Sequence, residues 1–132
     1  MVSTLQLLQN QRAAVTLFTI GSLILLFSST LEINIETERE TKGVEIEVHP
    51  TPAQITLFAF CLFAFGGFIS SIVATIRLNQ LKQQVYAGQK PNSSLEPSLW
   101  IFGGSWVLFA GVIALIIGTK QSVEAEQEIA IF

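Results

Sequence analysis

Long apolar runs alternate with short polar segments along this chain. Three runs lack Asp, Glu, Lys and Arg altogether, over residues 13–31, 52–76 and 97–119. Each is close to the roughly 20 apolar residues that a helix needs to cross a hydrocarbon core about 30 Å thick. A soluble helix would keep a polar face, which these runs lack. The pattern therefore predicts an all-α membrane protein with three transmembrane helices, in a single integral membrane domain over residues 1–132.

The second run carries a specific helix start and a helical continuation. Thr51 fits the N-cap, Pro52 the first helical position and Gln54 the third position of a capping box. Beyond Arg77, apolar residues recur at helical spacing until Gly88 interrupts the pattern. We therefore expect one helix from residue 52 to about residue 87, which would extend past the hydrocarbon core.

The segment between the first two runs, residues 31–49, has a different period. Apolar and polar residues alternate strictly on both sides of Gly43, which is typical of half-buried strands. The alternation predicts a short β-hairpin between helices 1 and 2, with strands over 32–38 and 44–49. A two-stranded hairpin is marginal in water, so its Ile/Val face would need a covering surface.

The polar face of this predicted hairpin contains side chains of the kind that bind metals. Glu45, Glu47 and His49 would share one strand face, and Glu36 and Glu38 could approach from the other strand. The alternative is a solvated acidic face. The sequence contains no EF-hand or zinc-binding spacing, so we assign no metal site.

Composition agrees with a membrane protein. Half of the 132 residues are hydrophobic and 13% are charged, against about 25% charged in soluble domains. A cleaved signal peptide is the alternative for the first run, but Arg12 is the only early basic residue and the run is long. The net charge of −3 gives no indication of nucleic-acid binding.

Charge placement predicts the orientation of a multi-pass protein in the membrane. Three spans place the N-terminus and the segment after span two on one side, with four Lys and Arg residues. The other side has three, and Arg12 and Arg77 directly flank the spans on the first side. We expect a cytoplasmic N-terminus, with the hairpin and the C-terminus on the opposite side.

Small residues form stripes along the second and third spans. Such residues let helix backbones approach closely in lipid, either within the chain or against a partner helix. The candidate partner-helix packing residues are Gly66, Ser70 and Ala74 in span two, and Gly104, Gly111, Ala114 and Gly118 in span three.

The spans offer little chemistry. They contain no Asp, Glu, His, Lys or Arg, and Cys61 has no base nearby in the sequence. We therefore expect no catalytic residues and no cofactor. The sequence favours a small non-catalytic accessory subunit or assembly factor, in contact with the lipid bilayer and with other membrane subunits or itself. The alternative is a homo-oligomeric pore or small transporter for neutral solutes.

Overall fold

The computed structural model describes residues 3–44, 48–88 and 95–131, the last three by their backbone alone. These residues form three helices, α1 (Thr4–Lys42), α2 (Pro52–Tyr86) and α3 (Leu95–Ile131). Each contains a window long and apolar enough to cross a membrane. The all-helical architecture with three apolar helices is confirmed and fits a multi-pass integral membrane protein.

The predicted hairpin is wrong. Residues 32–38, expected to be the first strand, belong to α1, and the described part of the chain contains no strand. Residues 45–47 of the expected second strand lie outside the described residues. Gly43 does have a positive φ of 64°, but its backbone N–H donates to the Arg39 carbonyl at 3.0 Å. It therefore ends a helix and does not turn a hairpin.

The helix extends here because nucleation, the costly step of helix formation, is already complete in the membrane span. Each further residue adds one backbone hydrogen bond, and charged side chains add pairs along the helix surface. Glu36 and Arg39 approach to 3.9 Å, and Glu38 and Lys42 to 3.2 Å. These exposed i,i+3 and i,i+4 pairs contribute a few tenths of a kcal/mol each, about 0.3–0.5. Propagation of the helix from the membrane span therefore outweighs the strand preference of the alternating residues.

The predicted start of α2 is confirmed. The Thr51 side chain accepts from the Gln54 backbone N–H, and the Gln54 side chain accepts from the Thr51 backbone N–H, with Pro52 in the first turn. The helix passes Arg77 without interruption and ends at Tyr86, close to the expected end. Gly88 follows with a positive φ of 74°.

α2 is the central helix. It packs against both α1 and α3, whereas α1 and α3 do not contact each other within the described ranges. The chain runs up, down and up, so α1 and α3 are parallel. The C-terminus of α1, the start of α2 and the C-terminal part of α3 lie together, and we call this the loop end.

The contact between α1 and α2 has a regular seven-residue repeat. On α1 the four buried positions are Leu7, Ala14, Gly21 and Ser28. A Cβ added to Gly21 would lie 3.2 Å from the Ala59 carbonyl oxygen on α2. This spacing gives the close, nearly antiparallel packing of small-residue helix pairs.

Candidate partner-docking surface

The candidate residues of α2 pack within this chain, and Gly66 and Ser70 lie at its contact with α1. A Cβ added to Gly66 would lie 3.0 Å from the Ala14 carbonyl oxygen, so the two backbones approach as closely as glycine allows. Ser70 donates to the Gln11 side chain at 3.2 Å, and Ala74 is buried. The α2 members of the candidate set are therefore buried or half-buried in contacts within this chain.

The small residues of α3 are placed differently. α3 packs against α2 through its other residues: Val112 and Val123 are buried, and Phe109 lies 3.5 Å from a Cβ added to Gly67. The Trp106 indole N–H donates to the Thr75 hydroxyl at 3.0 Å. The candidate residues Gly104, Gly111, Ala114 and Gly118, which we call the α3 stripe, are all exposed.

The space beside the α3 stripe is open. An added Cβ at Gly104, Gly111 or Gly118 would meet no atom within 4 Å. A Cβ added at Gly21 or Gly66, in contrast, would lie within 3.2 Å of a backbone oxygen of the neighbouring helix. Glycines on α1 and α2 therefore serve packing inside the chain, whereas the glycines of the α3 stripe have no packing partner among the described residues.

Part of the α3 stripe forms one wall of a groove between α1 and α3 at the loop end. The groove has a volume of about 990 Å³. Its other wall is the end of α1, and its floor is the first turns of α2. Its lining residues include Glu32, Ile35, Glu36, Gly111, Gly118 and Glu126.

The mouth of the groove is acidic. Glu32 and Glu36 lie on the α1 wall and Glu126 on the α3 wall, where it accepts a hydrogen bond from Thr51 at 2.8 Å. Glu36 lies 3.9 Å from Arg39. Among the described residues, neither Glu32 nor Glu126 forms an ion pair. The groove therefore carries carboxylates on both its α1 and its α3 wall, and its lining mixes apolar and polar side chains, including His49.

The acidic cluster weighed as a metal site is not assembled in the described residues. Glu36 and Glu38 lie on a helix rather than a strand, and Glu45 and Glu47 lie outside the described residues. The described residues include no group of three or more His, Cys, Asp or Glu side chains that could hold a metal ion.

Two features of the helix packing were missed from the sequence. The heptad stripe on α1 could have been found, because Ala14, Gly21 and Ser28 are small residues at a fixed spacing of seven. The role of Glu126 in the groove could not, because only the packing of α3 on α2 brings it beside Thr51.

Comparisons with known proteins add no further constraint. No family model matches the chain, and no curated protein or solved structure is significantly similar to it.

Proposed function

We propose that this chain is a small non-catalytic accessory subunit or assembly factor of a larger membrane protein complex. The observation that supports the proposal is the α3 stripe, whose three glycines have open space beside them. Gly21 and Gly66 pack against neighbouring backbones within the chain. The glycines of the α3 stripe have no such neighbour, and a helix of a partner protein would supply one.

Energetics favour a partner on this surface. Helix association in lipid depends on close van der Waals contact, because lipid tails are as apolar as the side chains they touch. Three glycines on one exposed side of α3 offer a surface on which another helix backbone could pack closely.

The side chains available in the spans support the proposal of a non-catalytic role. Cys61 is the only ionisable side chain in the three apolar runs, and a nucleophilic cysteine needs a neighbouring base or cation for activation. Several polar side chains within the described spans serve other contacts. Ser28, for example, is within 2.8 Å of both the Pro52 carbonyl and the Thr56 hydroxyl.

The groove also supports a second candidate, a homo-oligomeric pore or small transporter for neutral solutes. It contains Thr56, Thr119 and Ser122 among its lining residues, which could contact water or a neutral solute. However, α1 and α3 do not contact each other in the described ranges, so the groove is open along its length. Several copies would be needed to enclose a pathway.

Purification from native membranes in mild detergent separates the two candidates. An accessory subunit should elute in a heteromeric complex much larger than the chain, whereas a pore should elute as a homo-oligomer. Gly111→Leu should shift the chain out of the complex while the amount inserted in the membrane is unchanged. Ile113→Leu, on another side of α3, and Gly103→Leu, at an open glycine outside the groove, are the matched controls.

A complex that survives Gly111→Leu unchanged would contradict docking at the α3 stripe. A chain that elutes alone or only with copies of itself from native membranes would contradict the accessory-subunit proposal as a whole.

A further inference from the structure

The groove between α1 and α3 is long on its α3 side and short on its α1 side, where Glu32, Ile35 and Glu36 line it. Along α3 it extends from Gly111 to Gln127, which is about 24 Å at 1.5 Å per residue. α2 forms its floor, and the missing contact between α1 and α3 leaves its top open. A fourth helix placed there would touch both walls and complete a four-helix bundle.

We propose that the groove binds one transmembrane helix of a partner subunit, and that this helix carries Lys or Arg where it leaves the membrane at the loop end. The inference rests on the proposed accessory function and names the chemistry of the partner.

The α3 wall is suited to a helix backbone. Gly111, Ala114 and Gly118 lie in the groove, and the space beside both glycines is open. A helix that packs there can approach α3 as closely as α1 approaches α2 at Gly66. Ile35 and Leu115 add apolar contact area on the two walls.

The charge of the mouth specifies the end of the partner helix. Glu32 and Glu126 line opposite walls of the groove, and neither forms an ion pair among the described residues. No Lys or Arg of the described residues lines the groove, although His49 does. A Lys or Arg at the end of the bound helix would reach these carboxylates at the membrane boundary, where water screens the interaction less than in bulk. Complementary charge of this kind fixes register and selects the partner.

The same charge argues against a second copy of this chain as the occupant. Copies in one membrane share an orientation, so the loop ends would meet. That side of the chain carries nine glutamates and three basic residues, two of which already pair along α1. A copy would therefore bring mainly like charges together, which disfavours association.

The test uses the full chain in phosphatidylcholine vesicles with synthetic helices as probes. Each probe is a Leu/Ala helix of roughly 20 residues with glycine at every seventh position. One probe ends in two lysines and the matched probe ends in two glutamates. Energy transfer between a labelled probe and the chain, labelled through Lys82→Cys in a Cys61→Ala background, reports association.

We expect the lysine probe to bind about fivefold more tightly than the glutamate probe at low salt. The double variant Glu32→Gln/Glu126→Gln should remove this preference while both probes still bind. Gly111→Leu should weaken the binding of both probes, whereas Gly103→Leu should leave it unchanged. Equal helical content in all variants shows that the chain has folded.

Several results would overturn the inference. If the two probes bind equally and Gly111→Leu weakens both, the partner helix need not carry Lys or Arg. That result would contradict this inference but not the proposed accessory function. Failure of both probes to bind, in a chain that still purifies in a heteromeric complex, would assign the partner to another surface. Phospholipid retained through purification and released by Gly111→Leu, without probe binding, would assign the groove to lipid.

Discussion

Small side chains decide how closely the helices of this molecule approach. At Gly21 and Gly66 an added Cβ would lie 3.2 and 3.0 Å from a backbone carbonyl oxygen of the neighbouring helix. Both obstacles belong to main chain, which cannot rotate away as a flexible side chain can. Larger residues at these positions must therefore separate α1 from α2.

Gly66→Leu should weaken the contact between α1 and α2. Overpacking of a tight interior typically costs about 1–3 kcal/mol, and the affected contact includes Ala14 and the Leu17 side chain. We expect a lower thermal midpoint in detergent, measured by the loss of circular dichroism. Gly103→Leu is the matched control because an added Cβ there meets no atom within 4 Å. Equal midpoints for the two variants would contradict the close approach.

Two buried serines should respond differently to replacement by alanine. Ser28 hydrogen-bonds to Pro52 and Thr56 on α2, whereas the Ser71 hydroxyl has no partner within the described structure. Interhelical hydrogen bonds in membranes contribute about 0.6 kcal/mol on average and up to about 1.7. Ser28→Ala should therefore lower the free energy of unfolding. Ser71→Ala removes an unpaired buried group and should leave stability equal or higher.

Steric trapping or denaturation in mixed micelles measures both serine variants on one scale. If Ser71→Ala is more destabilising than Ser28→Ala, the buried hydroxyl of Ser71 must have a hydrogen-bond partner in the folded protein.

At the scale of elements, the sequence predicted the apolar cores of the helices well and their ends unevenly. The start of α2 was predictable because Thr51, Pro52 and Gln54 form a local capping motif that needs no tertiary partner. Its end near Tyr86 followed from apolar residues at helical spacing. Both features depend only on residues that are close in sequence, so they can be recognised without knowledge of the tertiary structure.

The end of α1 was not predictable in the same way. Alternating residues around Ile33 and Ile35 fit a strand as well as they fit one or two helical turns. The outcome depends on whether the segment nucleates its own structure or continues a helix that already exists. The groove was equally hidden, since the approach of Glu126 to Thr51 spans 75 residues of sequence.

Gly43→Ala should unravel the last turn of α1. Gly43 has a φ of 64°, and an L-residue in that region costs roughly 1–2 kcal/mol. The hydrogen bond from Gly43 to the Arg39 carbonyl should be lost first. Amide hydrogen exchange over residues 39–43 is expected to become faster, while exchange in the apolar part of α1 is unchanged. Unaltered exchange at the end of α1 would contradict the left-handed cap and the helix it terminates.

At the scale of the whole molecule, the fold brings the polar C-terminal ends of α1 and α3 together beside the start of α2. Ser28 on α1 contacts Pro52 at the start of α2, and Thr51 contacts Glu126 on α3. The helical extensions of α1 and α3 beyond the apolar runs therefore project from the same end of the molecule. Any membrane that the three helices cross must have both extensions on one side and the end of α2 on the other.

Basic residues predict which side that is. Lys and Arg close to span ends favour the cytoplasmic side, and Arg77 directly follows the second apolar run. We therefore expect Glu40 and Lys120 to face away from the cytoplasm and Lys82 to face it.

Single cysteines at these three positions, in a chain with Cys61 replaced by alanine, can be probed on intact cells with a membrane-impermeant thiol reagent. Cysteines at positions 40 and 120 should react in intact cells, and the cysteine at 82 should react only after the membrane is opened. If the cysteine at position 82 reacts in intact cells and the cysteine at position 40 does not, the topology is the reverse of the one expected. If the cysteine at position 40 reacts and the cysteine at position 120 does not, in both intact and opened cells, α1 and α3 do not end on the same side.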